Sequence, residues 1–350
     1  MENQNQPHKR RVRYKGTHPR SFHEKYKEHN PEKYADTIEK VIKKGSTPAG
    51  MHISICVKEI LDFLQIQPGQ KGLDATLGYG GHTREMLKCL DGKGHVYGLD
   101  VDAIEIEKTT KRLRDQGFGE DILTVIRTNF ANIDEVAKAH GPFDFMLADL
   151  GVSSMQIDNP ERGFSYKTDG PLDLRLNPTA GTSAAERLKE LTEEEFQWML
   201  VENSDEPYAD RIAKTVMREL KTGKKVDTTT RLRELIEESL TFLPEKERKE
   251  AVKKTCQRTF QALRIDVNSE FEVLYAFLDK LPDALAPGGR VAILTFHSGE
   301  DRLVKKSFKQ LKKQGVYSEI CEEVIRPSAE ECAMNPRAKS TKMRWAIKAE

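Results

Sequence analysis

The sequence predicts an α/β fold, a doubly wound parallel sheet that carries a helical insertion. Short apolar segments alternate with amphipathic helical patterns between residues 71 and 149, which is typical of consecutive βαβ units. A glycine-dense turn follows the first apolar segment, as at the ligand-binding turn of such sheets. Residues 182–255 instead carry charged helical patterns without a clear strand. We therefore expect one sheet domain interrupted by helices.

The first half of the sheet is defined by four segments and the residues that follow them. The pattern predicts strands at 71–75, 94–100, 122–127 and 143–149, with helices at 83–90, 102–116 and near 132–139. In such sheets ligands bind at the carboxyl ends of the strands. The residues expected at those ends are Asp74, Gly78 to His82, Asp100, Asn129-Phe130 and Asp149.

The second half begins with the insertion and ends with the last strands. Insertion helices are predicted at 184–191, 193–202, 208–221 and 231–240. A helix at 268–281, a tight turn at 287–290, a strand at 291–296, a helix from 301 and strands near 317–325 and 343–348 then complete seven strands. The predicted division is a basic N-terminal extension (1–50), a first sheet part (51–157), the insertion (158–257) and a second sheet part (258–350).

Composition narrows the class of protein. The 350 residues have a formal net charge of +1, but basic residues cluster in residues 1–20 and 305–344, which suits either RNA or simply solvated faces. Five cysteines without a Cys-x-x-Cys pair argue against a zinc site or a disulfide framework. No apolar run is long enough to span a bilayer, and the N-terminus lacks the apolar part of a secretory signal. We expect a cytoplasmic protein without membrane contact.

The glycine turn predicts a nucleoside cofactor. Gly78 and Gly80 match the first two glycines of a dinucleotide fingerprint, but the third position is Thr83. Asp74 ends the preceding strand, and Asp100 ends the next one, where a carboxylate can accept both ribose hydroxyl protons. A ribose without a pyrophosphate cradle indicates S-adenosylmethionine. An ordinary glycine turn is the alternative.

The end of the fourth strand is the candidate catalytic point. Asp149 precedes Ser153 and Ser154, and these three are our candidate catalytic residues. A carboxylate and nearby carbonyl groups could draw the lone pair of an exocyclic base amine out of conjugation. The alternative is that Asp149 caps the turn and the serines cap a helix.

Two further segments are candidates for binding a nucleic-acid substrate. A long loop rich in glycine, proline and charge contains Arg162, Phe164, Asp173 and Arg175, and loops of this length are usually functional. Residues 258–268 mix aromatic, amide and guanidinium groups that could hold an extruded base. From this segment we select Phe260, Arg264 and Asn268, although an amphipathic helix would explain the same pattern.

Together these segments resemble the bacterial ribosomal RNA small-subunit methyltransferase H family, which methylates the exocyclic N4 of a cytosine. The resembling segments follow the family's order: Gly78-Tyr79-Gly80-Gly81-His82, Asp149-Leu150-Gly151-Val152-Ser153-Ser154, Glu161-Arg162-Gly163-Phe164-Ser165, Asp169-Gly170-Pro171-Leu172-Asp173, Thr259-Phe260-Gln261-Ala262-Leu263-Arg264-Ile265, Phe296-His297-Ser298 and Asn335-Pro336-Arg337-Ala338.

The resemblance implies a Rossmann-like class I methyltransferase sheet whose helical insertion helps to hold RNA. It implies S-adenosylmethionine as cofactor and ribosomal RNA or the small ribosomal subunit as partner. The cofactor positions that it implies are Gly80, Gly81, His82, Asp100 (ribose), Phe130 (adenine), Asp149 and Gln156. His297 joins the candidates for substrate binding.

Three departures from the family pattern leave a divergent paralogue open. Gly299 stands where the family has leucine, Tyr79 stands where a small or polar residue is usual, and residues 1–50 are an addition. Another acceptor (RNA, DNA or protein) and a non-catalytic RNA-binding assembly factor remain alternatives. Direct transfer needs no metal, and no cysteine follows the fourth or fifth strand to attack a ring carbon. A homodimer is left open.

Overall fold

The computed structural model describes residues 54–350, and the predicted N-terminal extension lies outside them. The sheet consists of β1 (Lys71–Asp74), β2 (His95–Asp100), β3 (Leu123–Arg127), β4 (Phe143–Asp149), β5 (Leu285–Thr295), β6 (Tyr317–Ile320) and β7 (Lys342–Lys348). Their order across the sheet is β3-β2-β1-β4-β5-β7-β6. The predicted seven strands and the Rossmann-like class I methyltransferase topology are confirmed.

The sheet departs from the predicted all-parallel arrangement at one strand. β1 to β5 pair in parallel, whereas β7 runs antiparallel to both of its neighbours. Hydrophobic periodicity places residues on a face but does not set strand direction. The parallel part still brings the carboxyl ends of β1, β2 and β4 to one edge.

Helices cover both faces of the sheet because its strands are apolar on both sides. Around the sheet lie α1 (Val57–Leu64), α2 (Gly81–Leu90), α3 (Ala103–Asp115), α4 (Ile133–His140) and α5 (Ser154–Asp158). In β5, Val291 and Ile293 belong to one buried cluster, while Ala292 and Leu294 belong to the other. This alternation is what a strand buried between two helical layers requires.

The insertion forms a helical body with its own core. Its helices are α6 (Ala184–Glu190), α7 (Glu193–Ser204), α8 (Ala209–Lys221), α9 (Thr229–Ser239) and α10 (Glu245–Asn268). A separate apolar cluster runs from Phe164 to Leu263. Ser183 and Thr192 begin α6 and α7 with capping boxes, which satisfy the free amide groups of the first turn. The helical insertion is confirmed, but its predicted boundary at residue 257 falls inside α10.

The last third contains two local differences from the predicted elements. The expected helix at 268–281 is instead α11 (Glu270–Ala284), separated from α10 by Ser269 in a left-handed conformation. The expected tight turn at 287–290 is an irregularity inside β5, because the register against β4 jumps from Leu285 to Arg290. α12 (Ser298–Lys313) and α13 (Ala329–Met334) follow. Within residues 54–350, no helix is long and apolar enough to cross a membrane.

Candidate active site

A cavity of about 820 Å³ opens where β1, β2 and β4 end. Its walls include the glycine turn after β1, the ends of β2 and β4, and the residue pairs Arg264 and Asn268 of α10 and Asn335 and Lys339 near the carboxyl terminus. The volume lies in the usual range for small-molecule and cofactor sites. The strand ends selected from sequence therefore meet around one space.

The glycines of the turn after β1 are fixed by backbone conformation and by packing. Gly78 and Gly80 have positive φ values of 48° and 79°, which glycine adopts without strain. A Cβ on Gly80 would lie 2.7 Å from Thr109 Cγ2, and one on Gly81 would collide with Ser54 Oγ. Backbone conformation and close packing both require glycine here.

Asp74 ends β1, as predicted. Its side chain is buried and does not line the cavity. The carboxylate accepts hydrogen bonds from Thr83 Oγ1 (2.6 Å) and the Thr76 amide (3.1 Å), and Thr76 Oγ1 accepts one from the Asp149 amide (2.7 Å). These bonds make Asp74 a residue that positions the turn, and its direct contact with the cofactor stays a prediction.

Asp100 lines the cavity at the end of β2. Its Oδ2 accepts the Gly78 amide at 2.8 Å and its Oδ1 accepts the Asp102 amide at 2.9 Å. Burial raises the pKa of Asp100 to about 6, although the two backbone bonds act to lower it. Each oxygen keeps a second lone pair for a ligand donor, which fits a ribose diol.

Asp149 and His82 form a buried pair at the end of β4. His82 Nε2 lies 2.9 Å from the Ile55 carbonyl oxygen, which can only accept, so this nitrogen carries a proton. His82 Nδ1 then faces Asp149 Oδ2 at 3.5 Å. Asp149 Oδ1 is buried without a hydrogen-bond partner in the described part of the chain. Burial raises the pKa of Asp149 to about 6, against the lowering effect of His82.

The residues that follow Asp149 form a helix start. Ser153 Oγ accepts the Gln156 amide and Gln156 Oε1 accepts the Ser153 amide, so the two make a capping box. Both line the cavity. The hydroxyl of Ser153 thus caps α5, and its catalytic role stays a prediction. Ser154 is the first residue of α5, and its side chain lies outside the described part.

Phe130 lines the cavity on the other side. It begins a short 3₁₀ helix capped by Asn129, whose side chain accepts the Ala131 amide. Its ring packs edge-on against Phe277 with centroids 5.2 Å apart. This contact fixes the ring at the cavity wall, where it is available to pack beside a flat heterocycle.

Several predicted substrate residues are instead internal contacts of the long loop. Arg162 is buried and donates to Asp102 Oδ2 at 2.7 Å and to the carbonyl oxygens of Arg175 and Leu176. Asp173 and Arg175 pair with each other at 2.7 Å. None of Arg162, Asp173 and Arg175 lines the cavity. Arg162 ties the loop to Asp102, whereas the Asp173–Arg175 pair lies within the loop. The substrate-binding role of these three residues stays a prediction.

The aromatic candidates also have packing positions. Phe164 and Phe260 are 9% and 4% exposed and belong to the core of the insertion. This burial argues against base stacking by either ring, and the assignment of both to base binding stays a prediction.

Arg264 and Asn268 do reach the cavity wall. Arg264 makes two bonds to Glu270, at 2.7 and 2.9 Å. The Asn268 amide is bonded to Leu176 and Leu174 across the loop. His297 lies beside the cavity without lining it, with Nε2 3.2 Å from Glu300 Oε1.

Sequence reasoning missed several lining residues. Among them are Lys167, Lys253, Gln257, Glu270, Glu300 and Lys339. Burial acts to raise the pKa of Glu300, but the hydrogen bond and charge of His297 and the charge of Arg264 outweigh it and leave the pKa lowered. Lys253 and Gln257 are four residues apart on α10 and therefore share a face. The spacing of Lys253 and Gln257 could have been read from the sequence. The positions of the other missed lining residues depend on tertiary structure.

Comparison with known proteins decides the family. The model of the MraW methylase family matches residues 49–349. The chain belongs to this family. Ribosomal RNA small subunit methyltransferase H 1 of Lachnoclostridium phytofermentans is 73% identical over 348 residues, covering 99% of this chain and 95% of the relative.

Further relatives cover nearly the whole chain. The protein of the same name from Agathobacter rectalis is 68% identical over 98% of both chains. Ribosomal RNA small subunit methyltransferase H 2 of Alkaliphilus metalliredigens is 62% identical over 100% of both. The family resemblance is thus confirmed, and the N-terminal addition is shared by these MraW methylase relatives.

The two other departures from the family pattern have local explanations. A Cβ on Gly299 would lie 2.7 Å from Phe271 Cζ, so the phenylalanine ring occupies the space of a larger side chain. The ring of Tyr79 lies under the Arg112 guanidinium, 3.5 Å from carbon to centroid, and Arg112 also donates to the Tyr79 carbonyl at 2.7 Å. Both changes are accommodated by packing and leave the cavity-lining strand ends unchanged.

Proposed function

We propose that the protein transfers a methyl group from S-adenosylmethionine to the exocyclic N4 of a cytosine in small-subunit ribosomal RNA. Family membership supports the reaction class, and the observation that carries the site is Asp149, a carboxylate at the end of β4 with a buried oxygen that lacks a partner. Because such an enzyme modifies ribosomal subunits, we place it in the cytoplasm.

The cavity fits the cofactor by the chemistry of its lining. Asp100 would accept hydrogen bonds from the ribose hydroxyls and Phe130 would pack beside the adenine, while Gly78, Gly80 and Gly81 line the cavity at the turn. When bound, S-adenosylmethionine supplies an electrophilic methyl carbon on a sulfonium sulfur. No phosphate group has to be held, in agreement with a turn that lacks the third glycine.

Asp149 acts on the amine of the base. The N4 lone pair of cytosine is conjugated with the ring and is a weak nucleophile. An N–H donated to Asp149 holds the amine and stabilises the positive charge that develops on nitrogen during methylation. Because the pKa of Asp149 is about 6, the carboxylate is ionised at neutral pH and can accept that bond.

His82 supports Asp149 by its position. After methyl transfer the nitrogen loses one proton, and a carboxylate that accepts it becomes neutral. His82 Nδ1 lies 3.5 Å from Asp149 Oδ2, and Nε2 is held by the Ile55 carbonyl oxygen. We therefore assign His82 a positioning role beside Asp149, in addition to its place in the cofactor turn.

The test is methylation of defined substrates with labelled S-adenosylmethionine. Small subunits lacking the modification, free small-subunit rRNA and tRNA are compared, and the product nucleoside is identified by mass spectrometry. We expect N4-methylcytidine in the small-subunit RNA. Labelling confined to tRNA, or a methyl group on ring carbon 5, contradicts the proposal. Asp149→Asn is the control, with retained cofactor affinity and reduced single-turnover rate.

A further inference from the structure

Acidic and basic side chains lie at different depths in the cavity. The carboxylates that line it are buried or half-buried: Asp100, Glu105, Asp149, Glu270 and Glu300. The exposed lining residues are Gly151, Lys167, Lys253, Gln257, Pro336, Lys339 and Ser340. Among the described residues, therefore, the exposed edge of the cavity carries three lysines and no acidic side chain.

We call Lys167, Lys253 and Lys339 the lysine rim. They come from three distant segments: the loop before α6, the helix α10 and the 3₁₀ turn Pro336–Ser340. In residues 54–350, neither Lys167 nor Lys339 has an ion pair. Lys253 lies 3.7 Å from Glu250 on the exposed surface of α10, and such a pair contributes little. The rim charge is thus largely uncompensated.

This arrangement attracts an anion to the exposed edge of the cavity and repels an anion from its interior. Three cations around one opening repel one another, and a polyanion removes that repulsion. Lysine, a compact charge on a flexible stem, suits phosphate oxygens that can approach from several directions. The buried carboxylates repel phosphate and accept hydrogen bonds from amine groups. A nucleotide therefore enters with its base inward and its phosphates at the rim.

We propose that the lysine rim binds the backbone phosphates of the single-stranded RNA segment that contains the target cytosine. The inference rests on the proposed function, because a base reaches the cavity only when its nucleotide is extruded from a stack. Its neighbouring phosphates then lie at the cavity edge. The basic run of residues 305–344 contributes only Lys339 to the rim. Its other lysines Lys305, Lys306 and Lys309 lie on α12, and none of them lines the cavity.

The test compares two triple variants of equal charge change in the full-length protein. One replaces the rim (Lys167→Gln, Lys253→Gln, Lys339→Gln), and the control replaces exposed lysines of α12 (Lys305→Gln, Lys306→Gln, Lys309→Gln). The probe is a short fluorescent single-stranded oligoribonucleotide with one central cytosine, and its affinity is measured by anisotropy over a series of salt concentrations. Thermal unfolding checks that both variants fold.

We expect the rim variant to bind the probe more weakly and with a flatter salt dependence. Each phosphate contact contributes about 0.7 to the slope of log K against log salt on single strands, so loss of three contacts lowers the slope by about two. The α12 variant keeps the wild-type slope, and S-adenosylmethionine affinity is the same in all three proteins.

Each contrary result overturns the inference in its own way. If the rim and α12 variants show equal slopes of log K against log salt, the lysines contribute only non-specific charge to RNA binding. Weaker S-adenosylmethionine binding in the rim variant means that the lysines serve the cofactor. Unchanged RNA affinity with reduced methylation of intact subunits means that a ribosomal protein contacts the rim. Failure of the wild type to methylate rRNA, with normal rim-dependent RNA binding, overturns the proposed function alone.

Discussion

Replacement of Asp149 by asparagine should stabilise the protein at neutral pH while it removes activity. The pKa of this carboxyl rises from an ordinary value of 3.8 to about 6, mainly because the group is buried. Since one pKa unit corresponds to about 1.4 kcal/mol, ionisation of Asp149 lowers the free energy of unfolding by about 3 kcal/mol. Asparagine has no charge to bury, and its amide can still donate to His82 Nδ1.

The sign of the effect follows from proton binding. Below about pH 4, Asp149 is protonated in both folded and unfolded chains and carries no penalty. As pH rises through about 6, the folded chain must ionise a group that the unfolded chain has already ionised, so this stability is lost. The wild-type free energy of unfolding, minus that of Asp149→Asn, should therefore fall by about 2.5 kcal/mol between pH 4 and pH 7.

Urea denaturation at a series of pH values measures this difference. Equal denaturant slopes in the two proteins justify the comparison. The Glu322→Gln variant removes one exposed carboxylate away from the cavity and controls for the loss of a single charge. A difference that stays constant from pH 4 to pH 7 would refute the assignment of a buried, ionisable carboxylate at the end of β4.

Three further changes test the site and the insertion. Asp100→Asn should weaken S-adenosylmethionine about 10- to 150-fold by calorimetry, the equivalent of about 1.5–3 kcal/mol for charge-assisted bonds; unchanged affinity would remove Asp100 from the ribose site. Gly80→Ala should lower the unfolding free energy by about 1–2 kcal/mol for its left-handed backbone alone, with a further loss from contact with Thr109; a melting temperature equal to the wild type would show that the turn can relax. Phe260→Ala should cost about 3–5 kcal/mol of stability with oligoribonucleotide affinity per folded molecule unchanged; a specific loss of RNA affinity would return Phe260 to the substrate site.

The fold and the cofactor turn could be predicted because their signals are local. Alternating apolar segments set the strands, and positive φ at Gly78 and Gly80 demanded the glycines that marked the turn. Strand ends in a parallel sheet meet at one edge, so Asp100, Phe130 and Asp149 could be grouped before their contacts were known.

The substrate residues were harder to predict because residue type does not determine burial. An arginine can bind phosphate or a buried carboxylate, and Arg162 does the latter with Asp102. An aromatic ring can stack on a base or fill a core, and Phe260 fills the core of the insertion. The lysine rim has no sequence pattern at all, since only the tertiary fold brings its three members to one opening.

The cavity takes its walls from both extremes of the described chain, from Ser54 at one side to Ser340 at the other. During translation, the glycine turn leaves the ribosome long before the segment Pro336–Ser340 that faces the same space. A nascent or truncated polypeptide that ends ahead of this segment lacks one wall. Such a product also lacks β7, which pairs with β5, so both the sheet and the cavity are complete only when nearly the whole chain has been made.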